Sequence, residues 1–158
     1  MTREKIQAYT RRITMANKTQ MITILYEMVL DYIDDATKAY EEDDTNMYTE
    51  SMYRAMGCID ELIHSLNIGY ELGRVLFELY LFEKRALILC TVKMDEDKLS
   101  HVIKTFESLR AAYAELEKKD EESAVMTNVP KVYAGLTYGR GTLSESVMGN
   151  VSSRGFMA

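Results

Sequence analysis

Apolar residues recur along this chain in alternate steps of three and four, the spacing of a helix that hides one face. The pattern predicts four helices. In the first, from Asn17 to about Glu42, the main seam is Ile22, Leu25, Val29, Tyr32 and Ala36, and Asn17 with Gln20 three residues on has the form of a reciprocal N-terminal cap. The apolar side chains of MITILYEMVLDYIDDATKAY, residues 21–40, spread over an arc of roughly 240°, whereas a surface helix hides a stripe upward of about 100° wide. One neighbour cannot cover that arc. The run EEDDTN then breaks the pattern with residues that favour caps and turns.

A second helix, about Met47 to Leu66, carries Tyr48, Met52, Ala55, Ile59, Leu62 and Leu66 on one seam, and Asn67 and Gly69 stand where it stops. The third, about Tyr70 to Val92, is apolar nearly all round. The fourth, about Asp95 to Lys119, repeats the spacing through Leu99, Val102, Phe106, Leu109, Tyr113 and Leu116. Connections this short predict an all-α fold, an antiparallel up-and-down four-helix bundle over 18–120. Residues 1–17 form an N-terminal arm and 121–158 a C-terminal tail, which holds five of the eight glycines and the only proline. Within the tail, Thr142 and Glu145 make a second capping pair ahead of Leu143, Val147 and Met148, so one short helix ending at Gly149 is expected, stable only if docked.

Charge divides the chain in the same way. Residues 1–123 carry 16 Lys+Arg against 24 Asp+Glu and residues 124–158 carry 3 against 1, so an acidic body bears a basic tail. The dense basic footprint that nucleic-acid phosphates demand is missing. The N-terminus MTREKIQAYTRRITMANK lacks the apolar run of a signal peptide, so a cytoplasmic protein without membrane insertion is expected. Cys58 and Cys90 lie far apart inside helical patterns and are expected as reduced, partly buried thiols. Eleven methionines point to packing that remakes contacts easily, as core filler or as a binding surface.

Candidate chemistry is thin. Glu61 and His64 have the i, i+3 spacing of a carboxylate-bridged metal site, but such sites need a second copy, and Lys98 stands three before His101. No metal or other cofactor is expected. His64-Ser65-Leu66-Asn67 is similar to the phosphoacceptor helix of histidine phosphotransfer domains, yet Asn67 stands where a cation would favour the phosphoryl group. Phosphotransfer through His64 is the alternative function. Gly135, Gly139 and Gly141 follow no strand that would make a phosphate cradle, and no catalytic triad order appears, so no enzyme is predicted.

From Ala8 to Tyr113 the chain resembles the flagellin export chaperone family, FliS. The resemblance is carried, in order, by Ala8-Tyr9 with Ile13-Thr14, by Gln20 to Glu27, by Arg54-Ala55 before Ile59 to Leu62, by Gly69 to Leu72 ahead of Leu76, by Leu79 to Phe82, and by Leu109 to Tyr113. It implies a cytoplasmic helical bundle that binds the C-terminal segment of flagellin, blocks premature polymerisation and aids delivery to the flagellar type III export apparatus. It further implies a partner surface on the second and third predicted helices beneath the arm, with Tyr9, Ile13, Tyr26, Leu76, Tyr80 and Leu87 as contact residues. The arm either competes with cargo or clamps it, and the surplus arc of the first helix is expected to lie against two neighbours and the arm.

Departures from the family pattern are local. Asn17-Lys18-Thr19 replaces a Ser-Pro-Glu helix start, Met28 replaces a glycine, and Leu81 replaces an aspartate. Leu81 with Phe77 and Ile88 makes an apolar stripe that the tail is expected to cover, unless the tail fills the cargo groove or hangs loose. A homodimer through arm or tail is open. Glu83 stands on the inward side of its helix, where it is expected to reach a cation or the groove edge.

Overall fold

A computed structural model describes residues 1–120, and among them it shows five helices and no strand. Helix α1 spans Arg3–Met15, α2 Lys18–Glu41, α3 Thr45–Ser65 and α4 Glu71–Val92. A fifth, α5, begins at residue 96 and is helical to the last described residue, 120. Residues 1–117 form one compact unit, and 118–158 belong to a second. The expected helix near 142–149 and the docking of the tail lie outside the described residues.

The four long helices begin within two residues of their expected starts, because the capping chemistry is local. At α2, the Gln20 amide donates to Asn17 Oδ1 at 2.8 Å while the Asn17 amide donates to Gln20 Oε1 at 3.0 Å. Asp44 accepts from the Met47 amide at 2.9 Å and Asp95 from the Lys98 amide at 3.0 Å, opening α3 and α5. Between α2 and α3 the chain reverses through Asp43, whose φ of 57° is in the left-handed region. The start of α4 rides on the loop before it: a Cβ on Gly73 would lie 2.1 Å from the Asn67 carbonyl oxygen, so only glycine fits.

Residues 1–17 are more than an extended arm. The Lys5 amide donates to Thr2 Oγ1 at 3.3 Å, and Glu4 in the first turn and Arg12 in the last suit the helix dipole, so α1 is a capped helix of 13 residues. Its apolar residues, Ile6, Tyr9 and Ile13, come about one per turn. That is too sparse a stripe to announce itself.

Paired contacts set α1 against α2, and α3 against α4, in opposite directions. Lys5 meets Asp31 and Arg12 meets Glu27 between α1 and α2. Lys84 bonds Asp60 at 2.6 Å while Tyr48 donates to the Cys90 carbonyl at 2.5 Å between α3 and α4, and His101 meets Glu83 between α4 and α5. The interior is centred on α2, where Ile22, Thr23, Ile24, Leu25 and Tyr26, a full turn, are all buried. Only a helix enclosed by its neighbours can bury five successive residues. The Tyr26 ring packs 5.9 Å from Phe106 and 5.3 Å from Tyr113, and its hydroxyl meets that of Tyr80 at 2.5 Å. Burial pushes the Tyr80 phenol up to about 12 and raises Tyr26 further. Cys58 and Cys90 are free and buried, and burial, helped by Glu61, pushes the Cys58 thiol up to about 12.

Candidate binding surfaces

Two faces stand out, one covered and one bare. The covered face is the side of α2 beneath α1. On α2 acids stand four apart: Glu27 and Asp31 face cations and a phenol of α1, and Asp35 meets the Met1 ammonium at 2.5 Å. Tyr9 Oη donates to Asp31 Oδ2 at 2.8 Å, Lys5 Nζ lies 3.0 Å from the same oxygen, and the Arg12 guanidinium donates to both Glu27 oxygens at 2.5 and 3.2 Å. Arg12 also stands over the Tyr9 ring, 5.6 Å from its centre. Burial first, then the bond to Asp31, raises the Tyr9 phenol. Of the 13 residues of α1 only Tyr9 is buried.

A helix held mainly by polar contacts at a solvated edge is held weakly, since an exposed ion pair stabilises by about 0 to 1 kcal/mol. Ile24, buried on α2, lines a cavity of about 400 Å³ with Arg11, Arg12, Met15 and Gln20. Further along, Ile6 meets Tyr32 of α2 and Met47 and Arg54 of α3 around a second cavity of about 110 Å³. So α1 roofs apolar side chains of α2 and the edge of α3.

The bare face belongs to α4. One seam, Leu76, Tyr80, Glu83, Leu87 and Cys90, is buried. A second, Leu72, Val75, Leu79, Phe82, Ala86 and Leu89, repeats the same three-four spacing about 100° away, and Leu72, Val75, Phe82 and Leu89 are 65, 58, 59 and 56% exposed. Between this row and α5 runs a groove of about 350 Å³, lined by Phe82, Arg85, Ala86, Leu89, Lys98 and His101. Beneath it, Glu83 is fully buried with neither oxygen hydrogen-bonded, and His101 Nδ1 lies 3.5 Å from Oε1. His101, packed edge-on against Phe82 at 6.1 Å, is therefore the cation partner of Glu83 when protonated.

The structure divides the residues expected to contact a partner. Tyr9 and Ile13 are on α1, at the roof just described. Tyr26, Leu76, Tyr80 and Leu87 lie in the interior, 0, 7, 1 and 0% exposed, where they shape the core and present nothing at the surface in this conformation. The roof itself lies along α2 and the edge of α3, not over α3 and α4. In the stripe expected to receive the tail, Phe77 and Leu81 are half-buried and Ile88 is exposed. The exposed seam of Leu72, Val75, Phe82 and Leu89 was missed, although its spacing is as plain in the sequence as that of the buried one.

Among the described residues no group of three or more His, Cys, Asp or Glu is placed to hold a metal ion, and no helix is long and apolar enough to cross a membrane. His64 is exposed near the end of α3, and nothing found here supports phosphotransfer through it. Among the described residues, a helical scaffold with an exposed apolar row on α4 has the form of a protein-binding module. A family model described as flagellar protein FliS matches residues 2–120, and the chain belongs to this family of flagellar export chaperones, which is not a family of enzymes. No curated protein matches the chain.

Proposed function

We propose that this chain is a cytoplasmic chaperone that binds the C-terminal segment of flagellin, keeps it from polymerising prematurely and helps deliver it to the flagellar type III export apparatus. The observation that carries the reading is the roof. Helix α1 covers Ile24 and the α2–α3 edge yet buries only Tyr9 of its own residues, so a segment with more apolar surface to bury displaces it at small cost. Flagellin ends that assemble through apolar helical faces are such segments, and a helix laid in a groove is the matching mode of recognition.

In this reading α1 competes with cargo. The test is calorimetric titration of the full chain, and of a chain lacking residues 1–14, with the flagellin C-terminal segment. Binding at about micromolar concentration or tighter is expected, and tighter still without α1. If neither chain binds, flagellin is not the cargo. If the truncated chain binds more weakly, α1 clamps the cargo and the competition is wrong.

A further inference from the structure

The larger cavity beneath α1 contains a seat for a guanidinium, and Arg12 fills it. The Arg12 guanidinium donates to both oxygens of Glu27 on α2, at 2.5 and 3.2 Å, and a carboxylate of α5, Glu117, stands in the wall of the same cavity. The bond to Glu27 first, with the charges of Glu27 and Glu117 after it, raises the Arg12 guanidinium above its ordinary value. Ile24, one turn before Glu27 on α2, lines this cavity of about 400 Å³. Apolar surface and two carboxylates therefore lie side by side under one helix.

Any segment that takes the place of α1 over Ile24 covers Glu27 as well. The Glu27 side chain is 26% exposed with α1 in place, so a wholly apolar replacement would strip its carboxylate of solvent and of Arg12 together. Leaving one partner of a charged bond covered and unpaired costs more than the bond itself contributes. An ammonium meets such a site as a point charge, whereas the planar fork of a guanidinium reaches both oxygens at once. The seat thus rejects apolar helices that bring no cation to it and favours arginine over lysine, which lets a weakly held roof stay shut against unsuitable segments. The excess of acids over bases in residues 1–123, 24 against 16, works in the same direction.

We propose that Glu27, with Glu117 beside it, is a specificity-determining guanidinium site that admits an arginine of the segment displacing α1, in the place that Arg12 leaves. This rests on the reading that flagellin competes with α1. The test is calorimetric titration of the full chain with the flagellin C-terminal segment, in which each arginine in turn is replaced by Gln or by Lys. For one arginine, Gln should weaken binding by about tenfold or more and Lys by about fivefold. Against the Glu27→Gln chain the same replacements should change binding by less than about twofold. Glu27→Gln also frees Arg12 and so loosens α1, but that raises the affinity of every segment by one factor, which cancels when the segments are compared. If Glu27→Gln alters the helical circular dichroism, Glu117→Gln decides alone: coupling to the same arginine supports the seat, and its absence overturns it.

A segment that binds the wild type with no arginine coupled to Glu27, or with none in its sequence, overturns the seat and leaves the flagellin reading standing. Lysine that serves as well as arginine reduces the seat to a plain charge contact, which also overturns it. A segment that binds neither the full chain nor the chain lacking residues 1–14 overturns the flagellin reading itself, and the seat as a reader of flagellin falls with it.

Discussion

Replacing Asp31 by Ala tests how α1 is held. Asp31 Oδ2 takes the hydroxyl of Tyr9 at 2.8 Å and the Lys5 ammonium at 3.0 Å, so one substitution removes both. The Tyr9 ring is 8% exposed, and leaving its buried hydroxyl without an acceptor costs about 1 to 3 kcal/mol. The Lys5 side chain is 49% exposed and its pair adds about 0.2 to 1 kcal/mol. Together the loss is about 2 kcal/mol, near thirtyfold in the opening of α1. It should appear as local opening, since Tyr9 is the one buried residue of α1.

Amide hydrogen exchange reads this directly: protection across Tyr9 to Ile13 should fall about thirtyfold in Asp31→Ala, with α3 and α4 unchanged. Asp31→Asn keeps an acceptor for Tyr9 and should lose clearly less. If α1 competes with cargo, flagellin affinity rises by the same factor while α1 stays mostly closed. Unchanged exchange in α1 would refute the latch, and equal acceleration in α3 would show that Asp31 supports the core instead.

Two further outcomes follow from the packing. Gly73→Ala drives a Cβ to 2.1 Å from the Asn67 carbonyl oxygen, so the α3–α4 connection must shift, and denaturant unfolding should show a loss of about 1 to 3 kcal/mol; an unchanged midpoint would mean that the loop yields freely. Alkali should destabilise the fold. Burial raises Cys58 and Tyr80 to about 12 from their ordinary values of 9.0 and 10.0 and raises Tyr26 as well, so the folded state holds protons that the unfolded chain releases. That stability is complete below the unfolded values and is lost as pH rises through the folded ones; unfolding midpoints constant from about pH 8 to about pH 11 would contradict it.

What the sequence disclosed follows from the range of the forces involved. Caps act within a turn, so Asn17 and Asp95 marked helix starts that the structure keeps, while Asp44, which caps α3, sat unsingled in the run EEDDTN. The wide apolar arc of α2 foretold an enclosed helix, and Ile22 to Tyr26 are enclosed. Helix α1 was hidden, because Lys5, Tyr9 and Arg12 dock by polar contacts and the apolar stripe beside them is sparse. Its partners, Asp31 and Glu27, read as an ordinary solvated face until α1 is placed on them.

Helix α4 shows the deeper difficulty. It carries two seams of equal spacing, and hydropathy ranks them in the wrong order, for the seam that enters the core contains Glu83 while the seam left bare contains only Leu, Val, Phe and Ala. A charge in a seam ordinarily marks the solvated side. Here Glu83 is buried, and the group it meets, His101 on α5 with Nδ1 3.5 Å from Oε1, lies 18 residues further along the chain. Burying Leu76, Tyr80, Leu87 and Cys90 fixes the rotation of α4, so in the row about 100° away Leu79 and Ala86 only half-bury against the core while Leu72, Val75, Phe82 and Leu89 stay exposed. Such a row in water is costly unless something covers it.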